Sequence, residues 1–182
     1  MTLLRSVLWV CAALVALAGC ADDVTVAGPV GPPPSSVPAE AQPAVVDSVI
    51  DGDTIWVVAV SSGSLAKGER HKVRLLEIDA PELFSDSARR PECGAVASRE
   101  FLRSRLPEGS SVYLVSDRED RDRYGRALRY IWNAQGRFIN QDVVLEGYAR
   151  AVLFQPNDRY IHTMRRAESG ARASSAGIWG KC

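Results

Sequence analysis

The chain has 182 residues, 46% of them hydrophobic, and balances 22 basic against 22 acidic side chains. That length supports one globular domain with its own core, and the balance excludes a protein that gathers nucleic acid through a global basic field. The first 20 residues hold one charge, Arg5, so 21 basic and 22 acidic groups remain beyond them, and any grip on phosphate must come from local clusters.

The N-terminus reads as an export signal. Arg5 precedes an uncharged apolar run, Val7 to Ala18, shorter than the roughly 20 residues that span a membrane. Leu17-Ala18-Gly19-Cys20 resembles a bacterial lipobox. The resemblance implies a signal peptide over residues 1–19, cleavage before Cys20 and lipid on its sulfur. Residues 20–43 hold six of the ten prolines and are expected to form a disordered, extended linker. The expected location is the cell envelope, with the domain tethered to a membrane. Cys11 leaves with the signal, and the remaining pair, Cys93 and Cys182, favours a disulfide in an exported domain.

Residues 44–182 read as one unit. Val45 to Ile50 and Thr54 to Val60 are β-branched runs, hence strands, on either side of the Asp51-Gly52-Asp53 turn. His71 to Ile78 reads as a third strand stopped by Asp79-Ala80-Pro81. Ala95 to Leu106 has helical spacing and ends at Pro107. Val112 to Val115 and Leu128 to Trp132 complete five strands, separated by a charged loop, Ser116 to Arg126. Asn140 is expected to cap a short helix over 141–146, and Asn157 or Asp158 a last helix over about 157–173. This order suggests an α+β domain, mainly β: a five-stranded OB-type barrel with about three packed helices.

Several motifs are left over. Asp51-Gly52-Asp53-Thr54, Arg74-Leu75-Leu76, Asp79-Ala80-Pro81-Glu82, Tyr124-Gly125-Arg126, Asn140, Gly147, Gln155-Pro156-Asn157 and Ile178-Trp179 occur in an order and spacing that resembles the staphylococcal nuclease family over residues 45–180. The resemblance implies a Ca²⁺-dependent endonuclease acting on DNA or RNA, single strands preferred, that leaves 3′-phosphate ends. A monomer is expected.

Asp53 and Asp79, with the backbone carbonyl of Ala80, are the candidate metal ligands, since hard cations take oxygen donors. With His71 and His162 the only histidines and no Cys-x-x-Cys present, a zinc or iron site is disfavoured. Asp51 and Thr54 are expected to orient the site, although sequence leaves an exchange between Asp51 and Asp53 open. Glu82 is the candidate general base for water. Arg74 and Arg126 are the candidate phosphate clamps, because a guanidinium offers a charged planar fork of donors.

Arg123, Tyr124 and Phe154 are the candidate substrate contacts. The family type has tyrosines near Val152 and Phe154. Val152 cannot stack a base, so product length is left open, as is the isomer at Gln155-Pro156. Two rivals stand beside the enzyme: a catalytically silent OB module that binds oligonucleotide or protein, and a plain envelope spacer.

Overall fold

The computed structural model describes residues 30–83 and 90–182. The expected signal peptide and lipobox fall in residues 1–29, outside the described residues. The domain is a closed five-stranded barrel built from β1 (Gln42–Val49), β2 (Thr54–Ala59), β3 (Arg70–Leu75), β5 (Ser111–Val115) and β6 (Ala127–Asn133), in the order β1-β2-β3-β6-β5. β4 (Ile78–Asp79) and β7 (Arg150–Ala151) form a separate two-stranded sheet. The helices are α1 (Ala95–Arg105), α2 (Ile139–Leu145), α3 (Ile161–Ala173) and the short α4 (Ile178–Lys181). The OB-type α+β reading therefore holds.

Alternation in the strands sets the barrel's inside. Ala44, Val46, Ile55, Val57, Val73, Leu75, Leu114 and Ile131 are buried in one cluster, which continues into Leu102 of α1, Val143 of α2 and Met164 of α3. Each such side chain contributes about 1.5–3 kcal/mol by leaving water. Parallel pairing of β3 with β6, Arg74 opposite Leu128, closes the barrel and leaves no long open edge. A second cluster outside it gathers Leu76, Tyr113, Tyr130 and Trp132.

Four local expectations are corrected. Residues 30–41 are not a free spacer: Val37 is buried against the second cluster, Tyr113 donates to the Gly31 carbonyl at 2.7 Å, and Glu40 pairs with Arg159 at 2.8 Å. The aromatic face of the β5–β6 hairpin supplies the apolar surface that a linker in water lacks. The third strand stops at Leu75, because Glu77 takes φ 61° and turns the chain before β4. Asn140 caps nothing. It lies inside α2, fully buried, accepting from Ile131 N and donating to the Leu76 carbonyl, both at 2.9 Å, so it fastens the helix to the barrel. Asn157 and Asp158 precede α3, which starts at Ile161. Asn157 instead accepts from Glu119 N at 2.9 Å.

The Cys93–Cys182 disulfide is present, joining residues 89 apart in sequence. Gln155-Pro156 is cis.

Candidate active site

The site starts at the Asp51–Asp53 bend. Asp51 accepts from Asp53 N at 3.0 Å, fixing the turn into β2. Gly52 is packed so tightly that a Cβ there would overlap the Ser98 side chain and come within 2.6 Å of Ala80 Cβ. The bend therefore lies flush against the segment carrying Asp79. Asp53 is 4% exposed. Its Oδ1 accepts from the Thr54 hydroxyl at 3.0 Å and its Oδ2 from Ala80 N at 2.7 Å. Burial pushes its carboxyl up to about 7, with the Asp51 charge adding to the rise and the Arg74 charge opposing it.

Arg74 sits in β3 and is 8% exposed. Its Nη1 donates to the carbonyls of Leu75 and Ile78 at 3.0 and 2.9 Å and lies 3.1 Å from Asp53 Oδ2. Its Nη2 donates to Asp79 Oδ1 at 3.0 Å. The left-handed turn at Glu77 makes this possible by folding Ile78 and Asp79 back over the guanidinium. A charge so deeply placed is tolerable only with such partners. Asp79 itself is half-exposed.

Glu82 is exposed at the mouth. Partial burial lifts its carboxyl above the ordinary range, with the charges of Asp51, Asp79 and Glu92 adding and that of Arg74 opposing. Its backbone is clasped to Glu92: Glu82 N donates to Glu92 Oε2 at 3.1 Å, and Glu92 N to the Glu82 carbonyl at 2.9 Å. Cys93 follows directly, so the disulfide pins the far side of this clasp.

Arg126 arrives from the loop before β6. Asp122 Oδ1 accepts from the backbone N of Tyr124 and of Arg126, both at 2.9 Å. Asp122 Oδ2 takes Arg126 Nε at 2.6 Å. Gly125, at φ 77°, allows the tight turn between them. Burial alone would raise the Asp122 carboxyl, but these bonds outweigh it and hold the group below its ordinary value. Arg129, fully buried, ties the loop to the barrel: it meets Asp120 Oδ1 at 2.6 Å and Ser64 Oγ at 2.9 Å.

These elements converge on one open cavity of about 580 Å³, bordered by Arg74, Asp79, Glu82, Arg123, Tyr124, Arg126 and Phe154. Arg123 stacks on Tyr124 at 4.7 Å and donates to its hydroxyl. Phe154 is 42% exposed, 5.8 Å from the Arg74 guanidinium. Val152 lies outside this lining. Asp53 stands behind Arg74, with the Thr54 hydroxyl on its Oδ1, while Asp51 is less buried and its charge reaches Glu82.

A hard cation fits the donor set. Asp53 and Asp79 both reach Arg74, and the buried Asp53 anion lacks full compensation. Among the described residues no group of three or more His, Cys, Asp or Glu forms a closed cage. The Ala80 carbonyl and water would complete the shell, as oxygen-binding cations accept.

Arg129 and Glu92 are not among the residues that the sequence singles out. Arg129 leaves a signal: a charge within the apolar run Leu128-x-Tyr130-Ile131 must find partners. Glu92 leaves none, since charges abound in its loop.

An arginine pair facing carboxylates across an open cleft on an OB-type barrel defines a hydrolase of phosphodiester bonds. Comparison with known proteins agrees. The family model for staphylococcal nuclease homologues matches residues 72–181. The chain is 34% identical over 145 residues to a thermonuclease of Staphylococcus intermedius, covering 80% of each chain. It is 33% identical over 131 residues to a thermonuclease of Staphylococcus hyicus, covering 72% of each. It is also 33% identical over 138 residues to the endonuclease YncB of Bacillus subtilis, covering 75% of this chain and 61% of the relative. The chain belongs to the staphylococcal nuclease family.

Proposed function

We propose that this protein is a Ca²⁺-dependent nuclease of DNA or RNA, exported and lipid-anchored at Cys20. The observation that carries the catalytic reading is the bridge made by Arg74 between Asp53 and Asp79, in a cavity shared with Glu82 and Arg126. Asp53, Asp79 and the Ala80 carbonyl are the residues that would hold the cation, which supplies positive charge to a phosphate oxygen when bound. Arg74 and Arg126 stabilise the charge that grows on the equatorial oxygens in the transition state. Glu82 positions a water and takes its proton, a task its raised carboxyl suits. Arg123, Tyr124 and Phe154 hold the nucleotide on one side.

The test is hydrolysis of denatured DNA by the full-length chain with Ca²⁺ or with chelator. Cleavage that chelator abolishes and Arg126→Ala removes is expected. Binding without cleavage would leave a silent OB module. The anchor is checked separately: Cys20→Ser should release the protein from the membrane fraction, and retention there would sink the lipidation reading.

A further inference from the structure

Asp79 borders two cavities. One is the cleft described above. The other, of about 340 Å³, lies between Asp79 and the C-terminal helix and is bordered by Ala80, Glu92, Arg150 and Trp179, with the Cys93–Cys182 bridge in its wall. Among the described residues that border it, Arg150 is the one cation. The β4–β7 pairing sets Arg150 directly opposite Asp79. Its guanidinium lies 5.6 Å from the Trp179 ring centroid. Arg172 also covers that ring, at 3.9 Å, but is paired with Glu168 at 3.2 Å. Arg150 is exposed and meets no carboxylate among the described residues.

A phosphodiester strand has two flanks. With the reacting phosphate among Arg74, Arg126 and Asp79, one flank falls on Tyr124 and Phe154. The other must leave past Asp79, where it meets the carboxylates of Asp79 and Glu92. Two like charges at 4 Å repel by about 1 kcal/mol in water and by several near a protein surface. A polyanion can follow this route only if a cation offsets them, and Arg150 stands there. Its contact with Trp179 limits the swing of the side chain and takes up none of its N–H donors, which meet no carboxylate among the described residues.

We propose that Arg150 and the cavity beside it form a second nucleotide subsite. It binds the phosphate next to the reacting one, on the flank opposite Tyr124 and Phe154. This rests on the nuclease reading and sharpens it: the enzyme favours bonds with strand on both sides. Arg150 is a binding residue here and takes no part in the chemistry.

The test uses the full-length protein, with Ca²⁺, and single-stranded trinucleotides. One linkage is a bridging methylene phosphonate, charged but not hydrolysable. The second linkage, on one flank or the other, is either a phosphodiester or a neutral methylphosphonate. On the flank opposite Tyr124 and Phe154 the protein should bind the charged version about tenfold more tightly, independently of the preference that Arg123 gives on the other flank. Arg150→Gln should erase the preference on its own flank, and Arg150→Lys should restore part of it, at unchanged Tm. The proposal is overturned if Arg150→Gln keeps that preference, if that flank shows none, or if affinity falls equally for all ligands. Hydrolysis of ordinary DNA by the same preparation judges the nuclease reading separately. A protein that binds as expected but cleaves nothing would lose its enzyme assignment and keep its subsite.

Discussion

Arg126 Nε lies 2.6 Å from Asp122 Oδ2, and the same Asp122 receives the Arg126 backbone N–H at 2.9 Å. One carboxylate thus fixes both the backbone and the side chain of the clamp before any substrate arrives. Pre-set donors cost nothing to organise at the moment of reaction, and removing one costs about 10²–10³ in kcat. Arg126→Ala should therefore lower kcat by at least that factor with an unchanged melt. Asp122→Asn keeps the shape but weakens the grip, and should lower kcat by a smaller factor. Steady-state kinetics on denatured DNA decides. An Asp122→Asn variant with parental kcat would show that Arg126 is positioned by something else.

Arg129 has no exposure, and its guanidinium spans Asp120, Ser64 and the Leu128 carbonyl. Arg129→Met keeps most of the volume but leaves buried acceptors unmet. A loss of about 2–4 kcal/mol is expected, read by urea denaturation. Activity at low temperature should fall too, because the loop holding Arg123, Tyr124 and Arg126 loses its anchor. Full activity with lowered stability would separate the two roles.

Glu77 is buried with φ 61°. Its Oε1 accepts from the Tyr130 hydroxyl at 2.6 Å and from Tyr160 N at 3.0 Å. Its Oε2 has no partner among the described residues. Burial raises this carboxyl above its ordinary value of 4.5, against the lowering effect of the Tyr130 hydrogen bond. The folded state then holds the proton more tightly than the unfolded one. The stability this supplies is complete below pH 4.5 and is lost as pH rises through the higher folded value. Glu77→Gln cannot titrate, so the parent should lose stability relative to it from about pH 4.5 upward. Parallel pH profiles of unfolding free energy would refute this.

The disulfide closes a loop between residues 89 apart. Its removal in the double variant Cys93→Ser, Cys182→Ser should cost about 4 kcal/mol, chiefly through the freed unfolded chain. Because Glu92 clasps Glu82 next to the bridge, kcat should fall as well at temperatures where the variant is folded. Thermal unfolding and kinetics on one preparation check both. A variant with parental kcat would mean that the Glu82–Glu92 clasp holds without the bridge.

Sequence alone determined the parts that depend on local pattern and residue chemistry. Alternating Ile55, Val57, Val73 and Leu75 marked strands, because side chains in a strand face opposite ways. The Asp51–Thr54, Arg74, Asp79–Glu82 and Tyr124–Arg126 motifs could be read because few reactions need two carboxylates and two guanidiniums in that order. The partner of Cys93 followed from there being one other cysteine in residues 44–182.

Tertiary structure decided the rest. The buried role of Asn140 depends on Leu76 and Ile131, each distant in sequence, so local pattern could only offer a cap. Residues 30–41 look unfoldable by composition and are ordered by the aromatic surface of a hairpin far along the chain. Glu77 falls inside the third strand expected from sequence, yet its turn folds Asp79 onto Arg74. Above all, the approach of Arg74 to Asp53 and Asp79, and the single cavity that Arg74 and Asp79 share with Arg126, come from barrel closure between β3 and β6, a pairing across some fifty residues that no local propensity encodes.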